Sequence, residues 1–444
     1  MQTFGWDTVF LISNRRVNQA LATNLQSLLP TFEVDLGSDP TIHAAGSFLS
    51  WEIVEGGDGK LLFFKLTIKK GTMEIGTINL PEHVKSLVPD LETFANASET
   101  VIDGVAIVLS LFLRIMPKPD ASLQELAFFL EHVAYASQDS HRPGFVTVVN
   151  VIDPSGKLSV SHKTLLGASI AEYVVRNAQK IAFAFASINL VPPGTNSWLT
   201  PVESDYTYME KIGSSDGYMA ILSVTTRRPI ENLSRTIDQN AINSSYTGSF
   251  LISNTMFLRN VILPALPTAY GTQPSVFTLD EDKGLIRNTR TFETKSVKSG
   301  AITYYPVISS LSVSTNGEGL ETSISGSCDL KGGISMTFGI KARNRSRFDA
   351  SSKTITFLSD PNPESWHSAD IPWYYWFLGP IAVLITELVV KLIADSIASQ
   401  LDSLAREALS ITKNPPQSVH WTGTQILDVK VAGVNGAFFM MGQC

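Results

Sequence analysis

The sequence predicts an α+β fold of two related halves, with a few long helices set against antiparallel strands. Three observations lead there. Short apolar segments are broken by turn residues at close intervals, as in antiparallel meanders. Four longer segments carry apolar residues at helical spacing and end near proline. The pentapeptide Phe10-Leu11-Ile12-Ser13-Asn14 recurs letter for letter as Phe250-Leu251-Ile252-Ser253-Asn254, each copy read as opening a helix. This repeat divides the chain into residues 1–240 and 241–444, with the join between Pro229 and Gly248.

In chain order, the first helix is expected over Trp6 to Leu29, with Phe10, Val17, Leu21, Leu25 and Leu28 on one face and Pro30 as the stop. Strands follow at Lys60–Lys69, Val101–Ile115 and Phe145–Val151. Gly56-Gly57-Asp58-Gly59 and Asp153-Pro154-Ser155-Gly156 read as hairpin turns. The second helix is expected over Leu165–Ile188, before Pro192 and Pro193, and a strand at Tyr218–Thr226. The third helix covers Phe250–Leu263, before Pro264 and Pro267. Asp280-Glu281-Asp282-Lys283-Gly284 opens like a calcium loop, but its glycine falls one place early and no glutamate follows at the twelfth position, so it reads as a turn. Strands at Tyr304–Val313, Ile334–Ala342 and Thr354–Leu358, with Asn316-Gly317 as a hairpin turn, lead to a fourth helix from Pro380 to Leu409. A strand at Gln425–Val431 closes the series.

Composition narrows the function. Of 444 residues, 44% are hydrophobic and only 17% charged, which excludes a disordered or coiled-coil chain. The apolar excess needs a large core, an interior cavity or a membrane. With 34 basic and 41 acidic residues the formal charge is −7, so nucleic acid is not an expected partner. Two cysteines, Cys328 and Cys444, exclude a disulfide framework and a cysteine-rich zinc site. The opening MQTFGWDTVFLISNRR has no cationic stretch before its apolar run, so synthesis in the bacterial cytoplasm without a signal peptide is expected. Ile371–Thr386 is uncharged over sixteen residues, short of the ~20 a spanning helix needs, and Glu387 and Lys391 follow. No phosphate-binding loop, zinc-binding HExxH or complete nucleophile-elbow motif is present, and the seven histidines are scattered. Neither catalytic residues nor a cofactor are therefore expected.

Three groups of residues are candidates for binding. Ile12, Leu21 and Leu25 on the first helix, and Leu384, Leu388, Leu392 and Ile393 on the last, form apolar faces that would line an internal groove, unless they are plain core. Lys341, Arg343, Arg345 and Arg347 alternate, so in a strand they share one face that suits anionic head groups. The other readings are a solvated edge strand, or a turn at Asn344-Arg345-Ser346 that breaks the row. Trp373 and Trp376 lie in the densest aromatic cluster and suit a water–lipid interface, or a plug on the long helix.

Several phrases then carry a resemblance: TFGWDTVF at the start, GYMAILSV (Gly217–Val224), SGAITYYPVISS (Ser299–Ser310), GSCDL (Gly326–Leu330), DPNPESWHSADIPWYYWFLG (Asp360–Gly379) and VHWTG (Val419–Gly423). They run the length of the chain and resemble the clostridial 47-kDa protein family, encoded beside OrfX-type botulinum neurotoxin and related insecticidal toxin clusters. The resemblance implies tandem tubular lipid-binding (TULIP-like) domains similar to bactericidal/permeability-increasing protein, with long helices wrapped by highly curved antiparallel sheets. It supplies no catalytic residues. It implies a non-enzymatic accessory protein that binds a lipid or membrane surface, released with toxin components. The alternative is a protein–protein module that protects or delivers a toxin together with other proteins of the cluster. A pore former using Ile371–Leu409 and an enzyme are further readings.

Overall fold

A computed structural model describes residues 1–36, 42–76, 98–120, 122–190, 197–212, 216–241, 243–299, 302–330, 334–370 and 409–444. The protein is mainly β, with the strands curled into a half-barrel and almost every pairing antiparallel. At its centre lies a six-stranded sheet made of β1 (Thr8–Ser13), β11 (Glu203–Glu210), β12 (Gly217–Val224), β13 (Gly248–Ile252), β25 (Asp428–Asn435) and β26 (Ala437–Gln443). Its order is β11-β12-β1-β13-β26-β25.

The two copies of the repeated pentapeptide meet in this sheet. β1 and β13 are antiparallel neighbours, with Thr8 opposite Ile252, Phe10 opposite Phe250 and Ile12 opposite Gly248. Phe10 is thus paired with its own repeat counterpart, so a local two-fold axis passes through that pair. The hairpin β11–β12 flanks one side and the hairpin β25–β26 the other. The two phenylalanine rings meet edge to face at 5.6 Å. β1 is buried on both faces. Phe10 and Ile12 join the main apolar core, while Val9 and Leu11 join a second cluster with Trp6, Leu222, Ile230 and Ile237.

On one flank, β2 (Thr31–Leu36), β3 (Ile42–Asp58), β4 (Leu61–Ile75), β5 (Ser98–Val101), β6 (Ala106–Pro117), β7 (Leu123–Phe129), β8 (His132–Val133), β9 (Phe145–Ile152), β10 (Ala184–Asn189) and β24 (Val419–Trp421) form a ten-stranded sheet. β3 and β4 are long, and their register slips between Ser47 and Ser50 and again after Val54. Each irregularity bends the ribbon and increases its twist, which lets such long strands curl. Two helices pack on this sheet. α1 (Asn14–Thr23) docks on β3 through Asn18, whose amide donates to Ile53 O at 3.0 Å and accepts from Ile53 N at 2.8 Å, as a neighbouring strand would. α2 (Val160–Arg176) is capped by Ser159, and its Tyr173 hydroxyl donates to Thr31 O.

On the other flank, β14 (Phe277–Asp280), β15 (Leu285–Asn288), β16 (Phe292–Glu293), β19 (Val307–Asn316), β20 (Gly319–Asp329), β21 (Ser335–Asp349), β22 (Thr354–Phe357) and β23 (Glu364–Asp370) form the eight-stranded second sheet. β17 (Val297–Ser299) and β18 (Ile302–Tyr304) make a separate ribbon. α3 (Asn254–Phe257), a π-helical turn at Leu258–Ile262 and α4 (Leu266–Tyr270) precede this sheet.

Several expectations are corrected. The repeated pentapeptide opens a helix only at its end: its first three residues are strand, its serine sits at the N-cap position and its asparagine begins the helix. Ile12 is therefore a strand residue, and the first helix is Asn14–Thr23, with Leu25 in a short 3-10 turn beyond it. A strand buried on both faces has no alternation, so its apolar run reads as helix. The second helix ends at Arg176, and Ala184–Asn189 is a strand. The third is broken into strand, α and π segments. Val101–Ile115 is two strands, parted at Gly104 where φ is +76°. The Asp153 turn leads from β9 into α2 and not into a hairpin. The turns at Gly56–Gly59, Asp280–Gly284 and Asn316-Gly317 do join paired strands. The expected fourth helix, from Pro380 to Leu409, lies almost wholly outside the described residues; only its last residue, Leu409, is described, in a 3-10 turn at Leu409–Thr412.

Candidate functional site

The outer face of the second sheet holds the cation row. β21 runs unbroken through Asn344-Arg345-Ser346, so no turn interrupts it. Ala342 and Asn344 point into the protein, while Arg343, Arg345 and Arg347 are exposed and Lys341 is half-buried on the same face. Strand alternation makes this arrangement obligatory once the register is set. The buried Asn344 holds that register locally, its amide donating to Leu358 O at 3.0 Å.

The row is not bare. Glu321 on β20 lies opposite Arg343, and takes Lys341 at 3.2 Å and Arg343 Nε at 3.1 Å. Glu364 on β23 lies opposite Lys341 and stands 3.8 Å from Arg343. Glu318 is 3.6 Å from Arg345, with both side chains 76% exposed. Asp360 accepts from the backbone N–H of Arg343 at 2.7 Å. Burial pushes the Glu321 carboxyl upward, but hydrogen bonds from Asn316, Arg343 and Lys341 outweigh it and hold the group below its usual range. The same hydrogen bond to Glu321, reinforced by Glu364, raises Arg343. Arg347 has no ion-pair partner among the described residues. A pocket of about 530 Å³ opens on this face between Lys341, Arg343, Arg345, Leu358, Asp360 and Glu364.

Sequence reasoning missed one residue of this face. Trp366 on β23 is registered opposite Gly339, two residues before Lys341 on the same face of β21. A Cβ at Gly339 would meet the indole at 2.1 Å, so the ring lies across the glycine. It remains 56% exposed. No local signal marked it, because the register of β23 on β21 is a long-range fact.

The groove residues fall elsewhere. Ile12 (1% exposed) and Leu21 (0%) lie in the main core, and Leu25 is half-buried against it. They are not brought near the cation row. Leu384, Leu388, Leu392, Ile393, Trp373 and Trp376 lie outside the described residues. Among the described residues no cluster of three or more His, Cys, Asp or Glu side chains is placed to hold a metal, and no helix is long and apolar enough to cross a membrane.

Comparison with known proteins agrees with this architecture. The family model described as OrfX-like, Protein OrfX2/OrfX3/P47, matches residues 3–408. The chain is 26% identical to Protein P47 of Clostridium botulinum (strain Kyoto / Type A2), over all of this chain and 99% of that protein. It is 23% identical to Protein OrfX3 of the same strain, over 79% of this chain and 74% of that one. The solved structure of P47 from C. botulinum A2 superposes with a TM-score of 0.75, covering 100% of this chain and 98% of that one at 22% identity. P47 of C. botulinum E1 gives 0.70, covering 99% of each at 22% identity. A model match over most of the chain, with the fold shared end to end, establishes that the protein belongs to the OrfX-like family of OrfX2, OrfX3 and P47.

Proposed function

We propose that the protein is a non-enzymatic accessory protein of a toxin system that docks on anionic membrane surfaces through the outer face of its second sheet. The observation that carries this reading is the placement of Trp366 on the same exposed face as Lys341, Arg343, Arg345 and Arg347. Cations attract anionic head groups, each by about 1 kcal/mol near the surface, and an indole suits the interface. Arg345, paired only with the exposed Glu318, and Arg347, with no ion pair among the described residues, are the looser end of the row; Lys341 and Arg343 are already engaged by Glu321. Uptake of acyl chains in an apolar groove between the long helix and the curved sheet is a second lipid mode. Of its described wall, Ile12 and Leu21 are packed core and Leu25 is half-buried against it, which favours surface docking over uptake.

Cosedimentation with phosphatidylserine-containing and phosphatidylcholine vesicles tests the reading. Removing two cations in an R345A/R347A variant costs about 2 kcal/mol, roughly a thirtyfold loss on anionic vesicles. Binding also falls between low and physiological salt. Equal binding to both vesicle types, or no loss in the variant, would exclude it. The competing reading, a protein–protein module that protects or delivers a toxin, is favoured by the acids Glu318, Glu321, Asp360 and Glu364 interleaved with the cations. Such mixed charge specifies a protein partner better than a uniformly anionic surface.

A further inference from the structure

The chain passes from β12 to β13 through residues 225–247, whose described part, 225–241 and 243–247, has only a 3-10 turn at Gln239–Ala241 as regular structure. Residues 225–241 run as a strap over the face of the central sheet turned away from the main core. Ile230, Ile237 and Ala241 are buried there in the second apolar cluster, with Trp6, Leu11 and Leu222. Two carboxylates clamp the strap. Asp7 takes Arg228 at 2.8 Å and the backbone N–H of Thr225 at 2.7 Å. Asp205 takes Arg235 Nε at 2.6 Å, with Lys60 at 2.8 Å on its other oxygen. The Trp6 indole N–H donates to Ser234 O at 2.7 Å, and the Thr207 hydroxyl donates to Arg235 O at 2.6 Å.

One stretch of the strap is left open. Thr226, Arg227 and Pro229 are exposed, and among the described residues no backbone–backbone hydrogen bond holds residues 226–229. The Arg227 side chain makes no ion pair among the described residues, unlike Arg228 and Arg235. A protease takes its substrate as several residues of extended backbone, so in a folded protein it reaches bonds in exposed, unladdered segments. The Arg227–Arg228 bond meets that condition.

Its neighbours narrow the choice to that bond. An arginine-directed protease does not cut between Arg228 and Pro229, because the proline nitrogen has no N–H and its ring fixes the backbone. Arg235 has its side chain on Asp205 and its carbonyl on Thr207, which holds the Arg235–Thr236 bond closed. The other described arginines lie in helices or strands, apart from Arg142, which precedes Pro143, and Arg290, in the short link between β15 and β16.

We propose that the Arg227–Arg228 bond is a processing site for an arginine-directed protease, and that the two products stay assembled. Hydrolysis breaks the peptide C–N bond. The oxygen of water ends in the Arg227 carboxylate, and its two protons end on the Arg228 nitrogen, which becomes an ammonium. Arg228, Ser234 and Arg235 of the second product remain clamped on Asp7, Trp6 and Asp205 of the first. The β1–β13 and β10–β24 pairings also cross between the products. None of these residues belongs to the cation row, so the site stands apart from the membrane reading.

Limited digestion of the folded full chain with an arginine-specific endoprotease tests it, read by intact mass, N-terminal sequencing and size-exclusion chromatography. The expected product is a fragment beginning at Arg228, formed while the circular dichroism is unchanged. It co-elutes with its partner at the size of the uncut protein and parts from it only in denaturant. Arg227→Gln, a change at an exposed position, slows formation of this fragment at least tenfold and leaves the melting temperature in place. Asp205→Asn releases Arg235 and adds a fragment beginning at Thr236, read beside the melting temperature so that a loss of fold is recognised. No Arg228 fragment from the folded chain overturns the proposal, as does one formed equally fast in Arg227→Gln. A wild-type cut at Arg235–Thr236 at the same rate overturns the selection of the site, and products that elute apart without denaturant overturn the assembled form.

Discussion

Glu321 controls how much charge the outer face of the second sheet offers, because it engages Lys341 and Arg343 together. Glu321→Gln keeps the shape and releases both cations. If the face docks on anionic membranes, the variant binds phosphatidylserine vesicles more tightly than the wild type; unchanged binding favours a protein partner. A second residue-scale test uses pH. Asp153 is held down to about 2, first by the backbone N–H of Leu158 and then by the Ser155 hydroxyl, against an ordinary value of 3.8. A carboxyl lowered in the folded state stabilises above its unfolded value, and that contribution fades as pH falls through the folded value. Melting temperatures of wild type and Asp153→Ala should therefore differ at pH 6 and converge between about pH 4 and pH 2. A constant difference over that range would show that Asp153 acts through packing alone. At this scale much was legible. The alternation of Lys341, Arg343, Arg345 and Arg347 read correctly as one face. The acids that neutralise it and the ring of Trp366 did not, because each arrives from another strand whose register depends on distant pairing.

At the scale of elements, the central pair β1 and β13 joins the two flanks. Phe10 and Phe250 occupy equivalent places on either side of the local axis, and both are buried. Truncating either to alanine is expected to cost about 3–5 kcal/mol in chemical denaturation. The double variant should fall short of additivity by about 0.5–1.5 kcal/mol, the worth of the edge-to-face contact. Strict additivity would mean that the rings act separately. The capped helix gives a simpler case: Ser159→Ala removes the acceptor for His162 N and should cost about 1 kcal/mol. The long amphipathic strands of the flanks were legible because one face is wet and the alternation survives. β1 and β13 were mistaken for helix because both are buried on both faces, and period alone does not separate a doubly buried strand from a buried helix; β10 was read as a continuation of the helix before it.

On the scale of the whole molecule, strand pairing ties the two flanks together. β1 lies between β12 and β13, and β24, from near the end of the chain, pairs with β10 on the first flank. A fragment of residues 1–240 would expose the β13-facing edge of β1 and lose β24. It is expected to aggregate or to show no cooperative melt, in contrast to the full chain. A soluble, cooperatively folded fragment would show that the first flank is self-sufficient. The amino-acid order by itself established a large apolar fold of helices and antiparallel strands, its internal repeat, its family resemblance and the one-faced cation row. These depend on local spacing, composition and shared phrases. The pairing of the repeat with itself, the packing of Ile12 and Leu21 into the core and the neutralising acids were decided only in three dimensions. Each depends on which strands lie side by side, from neighbours such as Glu321 and Arg343 to partners as distant in sequence as Phe10 and Phe250.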